Sequence, residues 1–224
     1  MAIKETSNVL AVTGKVLPMT LEDVTLYAVL ENGHTVKGES EIPLKNKELS
    51  SKIKRIYMEP IVSYPLVEAV EAIGDADLIV LGPGSLYTSV VPNLLVNNIV
   101  DTIYKAKGSK VYITNVMTQP GETDGYTVLD HVNGILTHSR EDLLDYVVIN
   151  VEEIPKETLN KYASDGSEPV VLGEEDEDLL NSKGIQVIKE NLIDIKKEYI
   201  RHDSIELSRI LIEIAKNRVS KDHV

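Results

Sequence analysis

The chain has 224 residues and a net charge of −13, from 23 basic and 36 acidic residues, and it contains no Cys, Phe or Trp. The acidic balance argues against nucleic-acid binding, which needs a basic surface. The missing cysteine excludes disulfides, thiolate catalysis and Cys-ligated metal sites, and no apolar run approaches the roughly 20 residues of a membrane helix.

In chain order, residues 3–12 read as the tail of a helix, with Ile3, Val9, Leu10 and Val12 apolar and Gly14 as its stop. Residues 1–6 lack the apolar region of a signal peptide, which fits a cytoplasmic chain. A hairpin follows: a strand at 24–30, the Asn32-Gly33 turn, and a return at 34–38. Residues 44–52 are rich in Lys, Asn and Ser and read as a solvated loop. Residues 53–58 alternate like a half-buried strand ending before Pro60. A short helix at 65–73 stops at Gly74.

The strand at 78–81 runs into Gly82-Pro83-Gly84-Ser85, and a helix is expected from about 91 to 107 with Pro92 in its first turn. A strand at 111–116 leads to a second loop at 117–125, and a helix at 127–139 buries Val128, Val132 and Ile135. A strand at 146–150, a helix at 156–162 and short strands at 170–172 and 185–188 come next. The acidic run at 174–178 reads as a solvated helix start. The last helix spans about 204–217, with Leu207, Ile210, Leu211 and Ile214 on one face and Asp203 and Glu206 at capping-box spacing. Alternating strands and helices predict an α/β fold: one domain over 1–224, a mostly parallel sheet with helices on both faces, and a hairpin insertion at about 20–45.

Two loops carry the functional signal. A tight turn between strand and helix can aim backbone N–H groups at an anion, with the helix dipole behind them. In the first loop, Gly82 and Gly84 supply the turn and the hydroxyls of Ser85, Thr88 and Ser89 add neutral donors. It is not a P-loop, and Tyr87 stands where a dinucleotide fingerprint has its third glycine. The second loop holds Thr118, Gln119, Glu122, Thr123 and Asp124. Glu122 and Asp124 could accept from ribose hydroxyls or hold Mg²⁺ through water. Pro120-Gly121 and Asp124-Gly125 are also ordinary turn pairs, but two such loops on one edge favour a ligand site over chance turn composition. Both loops follow parallel strands at the carboxyl end and should share one rim. Arg201, before the last helix, could reach an anion there. The five histidines have no metal-ligand spacing, and His131 and His138 are expected at a helix surface.

The stretch 75–89 (DADLIVLGPGSLYTS), Pro92-Asn93-Leu94-Leu95, the stretch 115–126 (NVMTQPGETDGY) and Arg201-His202-Asp203 together resemble the YvcK family, as do the earlier stretches 10–18 and 21–26. That family, known as gluconeogenesis factors, is related to CofD, the phospholactate transferase of coenzyme F420 assembly. The resemblance implies a Rossmann-like fold and a cytoplasmic regulator of carbon metabolism, cell shape and cell-wall precursor supply that binds a UDP-sugar. The alternative is a CofD-like phosphoester transferase. The UDP-sugar resemblance places Gly82, Gly84 and Ser85 at the phosphates and the 118–124 loop at the nucleotide or sugar, with Arg201 at the diphosphate and Thr88 and Asn115 among the ligand-binding residues. No catalytic or metal-binding residue is assigned, and no cofactor is expected, Mg²⁺ being admissible with a phosphorylated ligand. The expected partner is a nucleotide sugar, without nucleic acid or membrane insertion; a homo-oligomer is left open. The family pattern normally opens with a strand, a Gly-rich loop and adjacent aspartates that this chain lacks. The chain is therefore expected to start about a third of the way into the pattern, as a fragment or truncated product, and not to catalyse metal-dependent transfer itself.

Overall fold

The computed structural model describes residues 14–196 and 199–219; the helix tail expected at 3–12 lies outside the described residues. Two sheets form its frame. In the first, β1 (Thr25–Leu30) sits between β2 (Thr35–Lys37) and β3 (Ile53–Glu59), all antiparallel. The β1–β2 turn is the expected Asn32-Gly33 hairpin, with Gly33 at φ +88°. Between β2 and β3 lies a helix, α1 (Glu41–Leu49), where the sequence predicted a loop. The polar composition misled because α1 presents only Ile42 and Asn46 to the interior, and a helix with so narrow a buried stripe leaves almost no periodic signal. The predicted hairpin insertion is thus a three-stranded sheet with its own helix.

The second sheet is parallel, in the order β4 (Leu78–Leu81), β5 (Ser109–Ile113), β6 (Tyr146–Asn150) and β7 (Gln186–Glu190). Its strands alternate between two apolar layers, as the two-residue period of a strand requires. Ile79, Leu81, Tyr112, Val147 and Ile149 face one core. That core also takes in α4 (Ile99–Lys105), α5 (Val128–Thr137), α7 (Asp176–Ser182) and the inner face of the three-stranded sheet. Val111, Ile113 and Val148 face the other, where Leu207, Ile210 and Ile214 of α8 (Ser204–Val219) cover them. Helices therefore lie on both faces, as read from the sequence. The other helices are α2 (Val67–Gly74), α3 (Val91–Leu94) and α6 (Lys156–Asp165).

Several boundaries differ, each for a local reason. The helix expected at 91–107 is two pieces, α3 and α4, and an unanticipated π-helical turn (Leu86–Val90) precedes them. Asn98 breaks it, at φ +63°; Asn is among the few non-glycine residues that tolerate that region. No strand forms at 170–172; beside it Met117 and Pro169 make an isolated antiparallel bridge, which goes no further because the Glu168 N–H is taken by the Thr118 hydroxyl instead of a backbone carbonyl. A hairpin of β8 (Ile193–Lys196) and β9 (Tyr199–His202), not anticipated, precedes α8. Asp203 caps α8 by accepting from the N–H groups of Ile205 and Glu206. The capping box is only half formed, because Glu206 turns to Arg209. Thr127 and Asp130, by contrast, make a full reciprocal box at the start of α5.

His131 and His138 correct another expectation, for neither is a surface residue. His131 is fully buried. His138 ties the end of α5 to the three-stranded sheet: its Nε2 accepts from the Ile56 N–H of β3 at 2.9 Å, and its Nδ1 donates to Gly134 O of α5 at 2.7 Å. Ile56 can only donate and Gly134 O can only accept, so the ring is the neutral Nδ1–H tautomer. Burial lowers the pKa of His131, His138 and His202. A folded-state pKa below the unfolded one gives stability that is complete above the unfolded value, about 6.5, and is lost as the pH falls below it. The thermal midpoint should fall between pH 7 and pH 5. The fall should shrink in a His138→Gln variant by the share that His138 carries, roughly 2–4 °C if that share is about 1 kcal/mol. Calorimetric scans at both pH values measure it.

Candidate functional site

β4 runs into Gly82, whose φ is +78° and whose position leaves no room for a side chain. A Cβ there would lie 2.9 Å from Ile113 O on the neighbouring strand. Glycine at 82 therefore lets the chain turn tightly against β5, which ends at the same rim. Beyond it, the Gly84 N–H donates to Asn115 Oδ1 at 3.3 Å. This bond joins the turn after β4 to the turn after β5. The two loops open side by side, as parallel strands require.

A second connection is stronger. Glu122 is 2% exposed, yet its carboxylate reaches across to the first loop. Oε2 accepts from the Tyr87 N–H at 3.1 Å, and Oε1 accepts from Thr88 Oγ1 at 2.8 Å and from Gln119 Nε2 at 2.9 Å. Burial pushes the Glu122 carboxyl up from its ordinary pKa, while the Thr88 hydroxyl and the Tyr87 and Thr88 amides oppose the shift. The start of the helical segment after Gly84 is thus already satisfied by an internal carboxylate, at the place where the sequence suggested an external anion. Ser89 and Val90 donate back to Ser85 O. The N–H groups of Ser85, Asn115 and Met117 have no acceptor among the described residues.

Within the second loop, Thr118 and Thr123 are buried and hold the loop itself. Thr118 exchanges hydrogen bonds with Glu168, donating its N–H to Glu168 O and accepting the Glu168 N–H on Oγ1. Thr123 Oγ1 accepts from the Gln119 N–H at 2.9 Å, and Asp124 Oδ2 from the Gly121 N–H at 2.7 Å. Gly121 has φ +84°, and a Cβ on it would fall 2.1 Å from Pro43 O of α1. The close approach of backbone to backbone fixes this loop against the three-stranded sheet unit.

A cleft of about 600 Å³ opens between the two turns and the β8–β9 hairpin. Of the residues singled out from the sequence, Gly84, Asn115, Thr118, Gln119 and Arg201 line it. Thr88 and Glu122 form the clamp behind it, and Thr123 and Asp124 stabilise the loop. Gly82 lies under the turn and also lines a separate groove along β4. Arg201 is exposed and makes no ion pair among the described residues.

Sequence reasoning missed Tyr162 and His202, which also line the cleft. Tyr162 Oη accepts from the Ile200 N–H at 2.9 Å and ties α6 to β9. His202 Nε2 donates to Thr114 O at 3.0 Å and ties β9 to the end of β5. The alternation of 193–196 and 199–202 was the signal that could have revealed this hairpin. No group of three or more His, Asp or Glu side chains among the described residues is placed to hold a metal ion. No helix among them is long and apolar enough to cross a membrane.

If Glu122 is the clamp, its removal should cost far more than removal of a turn carboxylate. Glu122→Ala strands several part-buried donors and should lower stability by about 2–4 kcal/mol. Asp124→Ala loses one bond and should cost about 1 kcal/mol. Chemical denaturation of both variants separates the two roles.

Comparison with known proteins agrees with this architecture. The family model described as 2-phospho-L-lactate transferase CofD matches residues 1–193. A Thermoanaerobacterium thermosulfurigenes protein named "Putative gluconeogenesis factor" is 48% identical over 211 residues, covering 94% of this chain and 64% of its own length. The "Gluconeogenesis factor" of Bacillus subtilis is 43% identical over 215 residues, covering 96% of this chain and 65% of its own length. A crystal structure of a Bacillus halodurans protein superposes with a TM-score of 0.86 at 41% identity, over 93% of this chain and 65% of that one. A second crystal structure of that protein describes it as a member of the UPF0052 family. The chain thus spans about two thirds of the length of these relatives. With the matched parallel sheet and both rim loops inside the aligned region, the chain belongs to the CofD family, in the branch of the YvcK-like gluconeogenesis factors.

Proposed function

We propose that the cleft binds the diphosphate and sugar of a nucleotide sugar of the UDP-sugar class. On this reading the chain serves as a gluconeogenesis-factor-type regulator in the cytoplasm, acting on carbon metabolism, cell shape and cell-wall precursor supply. The observation that carries the reading is the joined rim: the turns after β4 and β5 meet through Gly84 and Asn115, with Arg201 on the opposite wall. The volume of about 600 Å³ lies within the range of small-ligand pockets. The unengaged N–H groups of Ser85, Asn115 and Met117 would act as local dipoles toward phosphate oxygens. The helix dipole contributes little, since Glu122 already caps that segment. Arg201 would add a planar pair of donors suited to a phosphate, and Gln119 and Asn115 would meet the sugar or base. Mg²⁺ could accompany the phosphates without a protein cage.

Titration calorimetry with UDP-N-acetylglucosamine tests this. One saturable site is expected. Arg201→Ala should weaken it about tenfold, as loss of one charge-assisted contact would, with the thermal midpoint unchanged. Absence of binding, or binding indifferent to Arg201, contradicts the reading. Phosphoester transfer is the second reading, favoured by the description of the matching family model. Its sign would be turnover of a phosphoester donor in the presence of Mg²⁺, with release of a nucleoside phosphate.

A further inference from the structure

The register of the parallel sheet fixes which backbone groups of β4 are already paired. Leu78 lies opposite Ser109 and Val80 opposite Val111, and the Ser109 N–H donates to Asp77 O. In a parallel ladder, successive residues of a strand turn their backbone groups to opposite sides. Ile79 and Leu81 therefore give theirs to β5, while Leu78 and Val80 point theirs outward. β4 stands at the end of the sheet, and these outward N–H and C=O groups have no partner among the described residues.

The same edge is apolar. β4 reads Leu-Ile-Val-Leu, and the groove along it, about 340 Å³, has no charged residue in its wall. Met19, Ile73, Leu94 and Ile103 line it together with Ile79 and Leu81. A strand edge left to water is normally blunted by charge. The opposite edge, β7, follows that rule with Lys189 and Glu190, and β4 does not. At Met19 the groove adjoins the Thr20–Pro65 bridge. Around that bridge Leu21, Ile61, Tyr64 and Val67 are each more than half exposed. A cluster of exposed apolar side chains beside a bare edge marks an interaction surface.

We propose that the outer edge of β4 is a docking seam for one further parallel strand, and that this strand belongs to the third of the relatives' length which this chain does not span. The proposal stands without the nucleotide-sugar reading. The docked strand pairs with the N–H and C=O groups of Leu78 and Val80. One row of its side chains fills the groove beside Ile79 and Leu81, and the other lies beside Leu78 and Val80. It is therefore apolar on both faces, as strands inside parallel sheets are. Its source follows from length. The Bacillus halodurans fold superposes over 93% of this chain, yet this chain covers only 65% of that one, so further polypeptide accompanies this same fold in the relatives. A second copy fits less well, because two β4 edges paired about a two-fold axis run antiparallel, against the order of the sheet.

The test co-produces the whole chain with the part of the Bacillus subtilis gluconeogenesis factor that lies outside its match to this chain, with an affinity tag on that part. A one-to-one complex is expected. In the chain alone, the Leu78 and Val80 amides should exchange freely while Ile79 and Leu81 are protected; in the complex, Leu78 and Val80 should slow about a hundredfold. Val80→Pro removes an outward N–H and no bond to β5, at a place where an edge strand tolerates proline. It should leave the thermal midpoint nearly unchanged and weaken the complex about tenfold, as loss of one ladder hydrogen bond would. Should the variant fail to fold, the exchange pattern of the unaltered chain decides. Absence of a complex overturns the proposal, as does a complex in which Leu78 and Val80 still exchange freely or one indifferent to a folded Val80→Pro chain. Protection of both amides in the chain alone also overturns it; if that protection rises with concentration, a second copy takes the edge instead.

Discussion

Glu122 is the constraint on which the rim depends. A carboxylate that is 2% exposed must have partners, and here all of those identified belong to the rim. Tyr87 and Thr88 come from the loop after β4, and Gln119 from its own loop after β5. Glu122 ties the first loop to the second, which is itself anchored to Glu168 and to α1. The first is a short turn followed by a π-helical segment of five residues, and the second has no regular structure between β5 and α5. Joined by one buried anion, they form a fixed edge. The Gly84–Asn115 bond and the glycine contacts at 82 and 121 then set how closely they approach.

This arrangement changes where an external anion can be held. A helix start with free amides is a ready anion site, but this one is capped from inside. What remains are amides in the turns themselves, facing a cleft closed on its far side by β9 and α6. The loop bearing Glu122 also has two sides. One contributes Thr118, Gln119 and Pro120 to the cleft; the other contributes Asp124 and Tyr126 to a cavity beside α1.

Much of the framework was legible because it follows simple periodicities. The parallel strands at 78–81 and 146–150, and the amphipathic stretch of α5, announce themselves by apolar spacing and caps. The rim was legible too, since turns rich in glycine after buried strands lie at one end of a parallel sheet. The roles within the rim were not. Glu122, Thr118 and Thr123 look like exposed ligands for a phosphate or ribose, and only the tertiary structure shows them facing inward. His138 was misread for a similar reason: its partner Ile56 is 82 residues away. Sequence spacing carries no trace of such a contact. The polar helix α1 was missed because its buried face is too narrow to leave a pattern, and the β8–β9 hairpin because its two strands are only four residues each.

The most direct test of the clamp is native-state amide hydrogen exchange at Tyr87 and Thr88. Both N–H groups sit at the start of a helical segment, where amides without a cap exchange freely. With the clamp in place they should be protected, and in a Glu122→Ala variant they should exchange at least a hundredfold faster while the β5 and β6 amides keep their protection. Equal exchange in both proteins would show that the two loops are held together by something other than this carboxylate.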